Sequence, residues 1–167
     1  MVRVMNIYTY KTNIGEITIA SENGAITTLK RSDSENPASQ IPADNASFSL
    51  LPSELTNKAA TQLEEYLARK RQEFDLPIRP KGTAFQRSVW NALTSIPYGE
   101  TRSYKQIAQM LGNPNACRAV GLANNKNPIW IIIPCHRVIG SNGSLVGYGG
   151  GLEMKEQLIL LEKETRR

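Results

Sequence analysis

The chain has 167 residues, 40% of them hydrophobic and 21% charged, so it can bury one core or two small ones. Its longest apolar run, residues 129–134, is far too short to span a bilayer, and its first five residues lack the apolar stretch of a signal peptide. We therefore expect a soluble intracellular protein, cytoplasmic or nuclear, with no membrane partner.

The net charge of +5 is concentrated in the second half of the chain. Residues 1–80 hold nine Lys and Arg against ten Asp and Glu, a net charge of −1, whereas residues 81–167 hold eleven against five, a net charge of +6. This asymmetry indicates a polyanionic partner such as nucleic acid. A basic surface kept for solubility explains it equally well.

The chain has two cysteines, Cys117 and Cys135, and one histidine, His136. So few thiols argue against a disulfide scaffold, and three Cys and His residues fall short of the usual four ligands of a structural zinc site, although carboxylates could complete one. We expect neither a metal nor a cofactor.

The N-terminal residues predict three short strands, over residues 5–10, 15–20 and 25–30, joined by turns at 12–13 and 22–24. Residues 32–53 are polar and proline-rich and predict an irregular loop. A helix is predicted after Ser53, because apolar residues then recur at helical spacing: Leu55, Ala59, Leu63, Tyr66 and Leu67.

Residues 74–83 contain two prolines and a glycine at the point where the charge changes sign, which predicts a boundary between domains 1–80 and 81–167. Helices are expected beyond it, over residues 85–93, 103–111 and 115–125. The last two flank Gly112, Asn113 and Pro114 and resemble a helix-turn-helix, although many helical hairpins bind nothing. Small residues on the last helix would let a partner approach its backbone closely: Ala116, Ala119, Gly121 and Ala123.

The apolar run 129–133 predicts a buried strand, with Cys135 and His136 displayed just after its end. A thiol becomes nucleophilic as its thiolate, and a neighbouring histidine can act as the base. Because adjacent side chains of a strand point to opposite faces, a bridging water is the easier route between the two. Glu162 interrupts the apolar positions of a C-terminal helix, 152–164, and facing inward it would orient His136. A buried structural cysteine and a surface glutamate remain the alternative.

The run Pro134-Cys135-His136-Arg137-Val138 resembles the active-site signature of the O6-alkylguanine-DNA alkyltransferases, also called methylated-DNA–protein-cysteine methyltransferases. The similarity extends from about Gly82 to Glu164 through further ordered blocks, among them 82–86, 96–101, 118–121, 127–128 and 148–152 with Lys155. It covers about half the chain, and residues 1–80 fit the family only in outline.

The resemblance implies an α/β architecture: a small ribonuclease H-like domain with a three-stranded antiparallel sheet, then a mostly helical domain with a helix-turn-helix. It implies DNA repair by direct reversal, in which the alkyl group of O6-alkylguanine passes irreversibly and once per molecule to Cys135. O4-alkylthymine stays open as a second substrate. His136 would activate the thiol through water, Glu162 would hold the imidazole, Asn127 would brace the turn and Tyr104 would donate to the base.

The resemblance also implies that the protein, as a monomer, flips the damaged nucleotide out of double-stranded DNA from the minor groove. Arg118 would fill the vacated space, although an ordinary phosphate contact explains it too. The implied DNA surface adds Ser103, Asn113, Ala119 and Gly121. The implied base pocket is lined by Trp130, Val138, Tyr148, Gly149 and Gly150.

Three features depart from the family pattern. Gly149 stands where some members carry a serine, Trp130 stands where a smaller residue is common, and Cys117 matches no family role. Two other functions remain as alternatives. A lesion-binding relative would lack the acceptor cysteine, and a plain DNA-binding regulator would not need Cys135.

Overall fold

The computed structural model describes residues 4–32 and 47–166, and the chain divides into two compact units, Met1–Pro80 and Lys81–Arg167. The first unit is built on a sheet and the second is mostly helical, so the fold class expected from the sequence is confirmed. Among the residues described, no helix is both long enough and apolar enough to cross a membrane.

The sheet of the first unit has the strand order β3-β2-β1-β4. Strands β1 (Val4–Thr12), β2 (Gly15–Glu22) and β3 (Ala25–Arg31) form the predicted antiparallel meander. The turn between β2 and β3 places Asn23 and Gly24 at positive φ, the conformation that favours Asn-Gly in a tight hairpin. The expectation of three strands is corrected by a fourth, β4 (Ser47–Ser49), which pairs in parallel with β1. It lies within the stretch predicted as a loop, of which residues 33–46 are outside the described part.

Helix α1 (Glu54–Leu67) is the helix predicted after Ser53, and it packs on this sheet. Ser53 caps its first turn in a capping box with Thr56, and Ala59, Leu63 and Tyr66 are buried. Because both cap residues satisfy backbone groups that the first turn leaves unpaired, the helix begins at a defined residue. The segment after it returns to the sheet, where Ile78 forms a parallel bridge with Ile26.

Over residues 81–166, the second unit has four α-helices and a two-stranded parallel sheet. Helices α2 (Ala84–Leu93) and α3 (Tyr104–Met110) begin at the capping residues Thr83 and Ser103. Helix α4 (Cys117–Asn125) packs on both, and the indole Nε1 of Trp90 in α2 donates to the Ala123 carbonyl at 2.8 Å. Strand β5 (Arg102–Ser103) pairs with β6 (Val138–Ile139), and helix α5 (Leu152–Arg166) follows.

The strand predicted over residues 129–133 is wrong. These residues form a buried turn with one isolated bridge, between Trp130 and Ile133, and Ile131 has a φ of 72°. Local hydrogen bonds replace a ladder, since the Ile132 amide donates to the Trp130 carbonyl at 2.8 Å. An apolar run records burial but not backbone conformation, so the pattern could not separate a strand from this turn. Cys135 therefore does not follow a strand but begins a single 3-10 turn, Cys135–Arg137.

Candidate active site

The turn at residues 127–135 buries the thiol of Cys135 and is held by the Asn127 side chain. Asn127 Nδ2 donates to the Ile133 carbonyl at 2.8 Å, and its Oδ1 accepts from the Ile129 amide at 3.0 Å. Asn124 of α4 donates to the Cys135 carbonyl at 3.3 Å. These amides bridge the two ends of the turn, which is why a strained Ile131 is tolerated within it.

The Cys135 thiol is only 3% exposed, and this burial raises its pKa to about 11. A hydrogen bond with Asn127 and the charge of Lys155 act in the opposite direction but do not outweigh the burial. Since the thiolate is the nucleophilic form, a neighbouring base has to accept the proton before this sulfur can attack.

His136 and Glu162 form a buried pair in which Nε2 lies 2.7 Å from the carboxylate Oε1. Burial raises the pKa of the Glu162 carboxyl, but the hydrogen bonds and charges of His136 and Arg137 outweigh it and lower that pKa to about 2. Burial, followed by Arg137 and Lys155, lowers the pKa of His136, while Glu162 acts to raise it.

The tautomer of His136 follows from this pair. An ionised carboxylate can only accept, so we assign the imidazole proton to Nε2 and a lone pair to Nδ1. Among the described residues Nδ1 has no hydrogen-bond partner. Nδ1 is therefore the nitrogen that is free to accept a proton from the adjacent thiol.

Lys155 is a fully buried ammonium close to the same thiol. Its Nζ donates to the Val146 carbonyl at 2.8 Å and lies 5.8 Å from the centre of the Tyr104 ring. Burial lowers its pKa to about 8, and Cys135 acts to raise it. A buried lysine of this kind is uncommon in a purely structural role and marks the site as a functional candidate.

Tyr104, at the start of α3, donates its hydroxyl proton to the same Val146 carbonyl at 2.8 Å. Burial and then the charge of Cys135 raise the pKa of its phenol, so the hydroxyl stays protonated and remains a donor. Tyr104 also lines a cleft of about 510 Å³, with Cys117, Arg118, Gly121, Leu122, Asn125, Val146 and Gly147.

The outer face of α4 borders this cleft. Arg118 and Ala119 are exposed and Gly121 is half-buried. Ala123 is only 2% exposed, so its expected place on this face is corrected: it packs inward against Trp90, while Leu122 is 67% exposed. Ser103 caps α3, and Asn113 is exposed in the turn between α3 and α4.

The residues expected to line a base pocket include one aromatic cluster. The rings of Trp130 and Tyr148 lie 5.6 Å apart. A Cβ atom at Gly149 would meet the Trp130 ring at 3.0 Å, and one at Gly150 would meet Met154 Sδ at 2.5 Å and the Tyr148 ring at 2.9 Å. A larger residue at either position would therefore clash with this aromatic cluster. Val138 is buried in β6.

Three contributors were not assigned a role from the sequence: Arg137, Lys155 and Asn124. The spacing of Lys155, Leu158, Ile159 and Glu162 places all four on one stripe of α5, so Lys155 could have been recognised as an inward-facing charge. Asn124 follows the buried Ala123, and only the tertiary structure shows what its amide contacts. Among the described residues, no three His, Cys, Asp or Glu side chains group together as a metal site would require.

Comparison with known proteins identifies both units. Residues 5–80 match the family model "6-O-methylguanine DNA methyltransferase, ribonuclease-like domain", and residues 84–164 match "6-O-methylguanine DNA methyltransferase, DNA binding domain". The chain is 56% identical over 131 residues to the methylated-DNA–protein-cysteine methyltransferase of Methanosarcina barkeri, covering 77% of this chain and 78% of that one.

Two further relatives cover more of the chain. The Mycobacterium leprae protein of the same name is 46% identical over 152 residues, which is 90% of this chain and 87% of the relative. A crystal structure of Mycobacterium tuberculosis OGT in complex with DNA superposes with a TM-score of 0.83 at 42% identity, covering 96% of this chain and 94% of that one.

We predict that Asn127→Ala destabilises the second unit by about 1–3 kcal/mol, because the buried Ile129 amide loses its acceptor and the Ile133 carbonyl keeps only the Cys135 amide as a donor. Chemical denaturation followed by tryptophan fluorescence measures this, since Trp90 and Trp130 both lie in that unit. Asn91→Ala, on the exposed side of α2, is the matched control and should change little. Equal stability of the two variants would contradict the bracing role of Asn127.

Proposed function

The chain belongs to the 6-O-methylguanine DNA methyltransferase family, and from this we propose that it repairs DNA by transferring the alkyl group of O6-alkylguanine to its own Cys135. The observation that carries the proposal is the buried thiol next to a histidine whose Nδ1 is free to accept a proton while Nε2 is held by Glu162. Double-stranded DNA with an alkylated guanine is the proposed substrate.

The transfer is a displacement at saturated carbon. His136 Nδ1 takes the proton of the Cys135 thiol, directly or through water, and Glu162 stabilises the imidazolium that forms. The sulfur attacks the alkyl carbon, an S–C bond forms, and the C–O6 bond breaks with its electron pair passing to the guanine oxygen. The guanine anion then takes up a proton and is restored to guanine.

Tyr104 supports the departure of the guanine. Its protonated hydroxyl can donate to the base as negative charge builds, once it exchanges the Val146 carbonyl for the nucleotide. The backbone at Val138, Gly149 and Gly150 supplies further hydrogen-bonding groups for the base edges. The buried Lys155 ammonium adds a fixed positive charge near the reacting sulfur.

The reaction ends with a thioether on Cys135. No side chain of the cluster can hydrolyse this carbon–sulfur bond, because a thiolate is a poor leaving group from a saturated alkyl carbon. Each molecule therefore reacts once, and the amount of protein, rather than a turnover rate, limits the number of lesions repaired.

The target atom is stacked inside duplex DNA, so the nucleotide has to leave the helix to reach the thiol. Two features support this step: the net positive charge of residues 81–167 and the exposed Arg118 on the small-sided face of α4. The thiol cluster is built within one chain, and we propose that a monomer performs the reaction, in the cytoplasm.

The first prediction from the proposed function concerns the covalent product. When the protein is mixed with a duplex that carries one O6-methylguanine, the peptide containing Cys135 should gain one methyl group and saturate at one per protein. Intact and peptide mass spectrometry measure it. Cys135→Ser should gain none, and Cys117→Ser, the matched control, should behave as the wild type. Tight binding without a mass change would instead indicate a lesion sensor.

The second prediction concerns Arg118. Arg118→Ala should slow methyl transfer from duplex DNA by about tenfold or more, because an unstacked nucleotide costs a few kcal/mol unless the vacated space is filled. Transfer from the free base O6-methylguanine should change little. Single-turnover quenching measures both rates. Arg118→Lys retains the ability to contact a phosphate. If this variant transfers the methyl group as fast as the wild type, Arg118 only contacts a phosphate and does not fill the vacated space.

The third prediction concerns Trp130, which packs against Tyr148 and Gly149. If Trp130 limits the pocket, Trp130→Ala should speed the reaction with O6-benzylguanine far more than the reaction with O6-methylguanine. Competition for the same protein between the two lesions measures the ratio. Equal rates for benzyl and methyl adducts in the wild type would rule out a gate at Trp130.

A further inference from the structure

Arg137 is a buried charge that takes no part in the reaction scheme above. It is 8% exposed, and its guanidinium forms two hydrogen bonds to Glu162. Nε donates to Oε2 at 2.9 Å, and Nη2 donates to Oε1 at 2.8 Å. A bidentate pair of this kind is geometrically specific, and removing one partner of a buried pair leaves an uncompensated charge.

Arg137 and His136 bind the same carboxylate oxygen. Oε1 of Glu162 accepts from His136 Nε2 at 2.7 Å and from Arg137 at 2.8 Å. A carboxylate facing an imidazole alone favours the imidazolium form, because the two opposite charges then attract each other. The guanidinium already offsets the negative charge, so the carboxylate orients the ring without drawing a second proton onto it.

The geometry points to Arg137 as a positioning residue that holds Glu162 against His136 and offsets its charge, which keeps the imidazole neutral with Nδ1 open as the proton acceptor for Cys135. The inference rests on the proposed function only in its last clause. The state of the imidazole can be measured without DNA.

Arg137 is itself fixed by two further contacts. The other terminal nitrogen, Nη1, donates to the Ile96 carbonyl at 2.7 Å, and the guanidinium carbon lies 5.6 Å from the centre of the Tyr98 ring. A lysine would keep the positive charge but could not form the bidentate grip and the Ile96 bond together. The contribution of charge can therefore be separated from that of geometry by one conservative substitution.

The other titratable groups around His136 act consistently with this assignment. Glu162 and Lys155 act on it from α5 and Arg137 from its own turn, and the Tyr98 ring in the segment before β5 packs on the Arg137 guanidinium. Helix α2 also packs on the turn, but its single titratable side chain, Arg87, is exposed. Burial lowers the pKa of His136 first, Glu162 raises it, and Arg137 lowers it again.

The experiment uses the fact that His136 is the only histidine in the chain. Nitrogen-15 NMR of the imidazole reports its protonation midpoint and its tautomer directly, in the wild type and in Arg137→Gln and Arg137→Lys. Arg102→Gln is the matched control, since Arg102 also pairs with a carboxylate, that of Glu100, but the two side chains are 32% and 33% exposed. Single-turnover methyl transfer is measured on the same samples from pH 5 to pH 8.

In the wild type we expect a neutral ring protonated on Nε2. Arg137→Gln should raise the protonation midpoint by about one pH unit or more, so transfer should be lost at pH 6 more than at pH 8. Arg137→Lys should keep the midpoint, because the positive charge is retained. It should slow transfer roughly tenfold at every pH, because lysine cannot hold Glu162 with two directed hydrogen bonds. Arg102→Gln should leave midpoint and tautomer unchanged.

An unchanged midpoint and tautomer in Arg137→Gln would overturn the inference. If that variant does not fold, Arg137→Lys decides: wild-type transfer and an unchanged tautomer, with only a lower Tm, would mean that Arg137 is structural. Failure of the wild type to accept a methyl group would contradict the proposed function instead, and the NMR result would still stand.

Discussion

One buried carboxylate, Glu162, fixes the geometry on which the thiol site depends. It accepts hydrogen bonds from His136 and Arg137 in the 3-10 turn, and from the Gly99 amide at 3.3 Å in the segment before β5. An ionised group in the interior is costly unless its oxygens are fully paired. These donors meet that requirement, and in doing so they lock α5, the turn and the Gly99 segment in one arrangement.

That arrangement gives the thiol two properties that ordinarily conflict. Burial protects Cys135 and keeps it protonated, whereas the displacement needs a thiolate. In the proposed reaction, His136 resolves the conflict as a base in the same buried turn, because it takes the thiol proton directly or through water. The Asn127 amide bonds hold the turn in which the strained Ile131 makes this placement possible.

The Val146 carbonyl is a second group that is shared by two side chains. It accepts from Tyr104 of α3 and Lys155 of α5, and so links the helix-turn-helix to the helix that carries Glu162. The cleft beside it is bordered by Arg118 and the outer face of α4. The face proposed to contact DNA and the thiol site are thus on neighbouring elements of one unit.

Local periodicity and turn residues predicted the strands of the meander, the helix capped by Ser53 and the helices of the second unit. A contiguous motif identified the family and singled out Cys135 and His136 as candidates. For Glu162 the sequence left an inward-facing and a surface position both open, and the structure shows that the side chain is buried. The prediction of a strand at residues 129–133 was wrong because an apolar run carries no information about backbone conformation. Ala123 was expected on the outer face of α4, but it lies at the edge of that face and is buried beside Trp90. Only the tertiary structure could join Arg137 to Glu162, since they lie 25 residues apart and the pairing depends on how α5 packs against the turn.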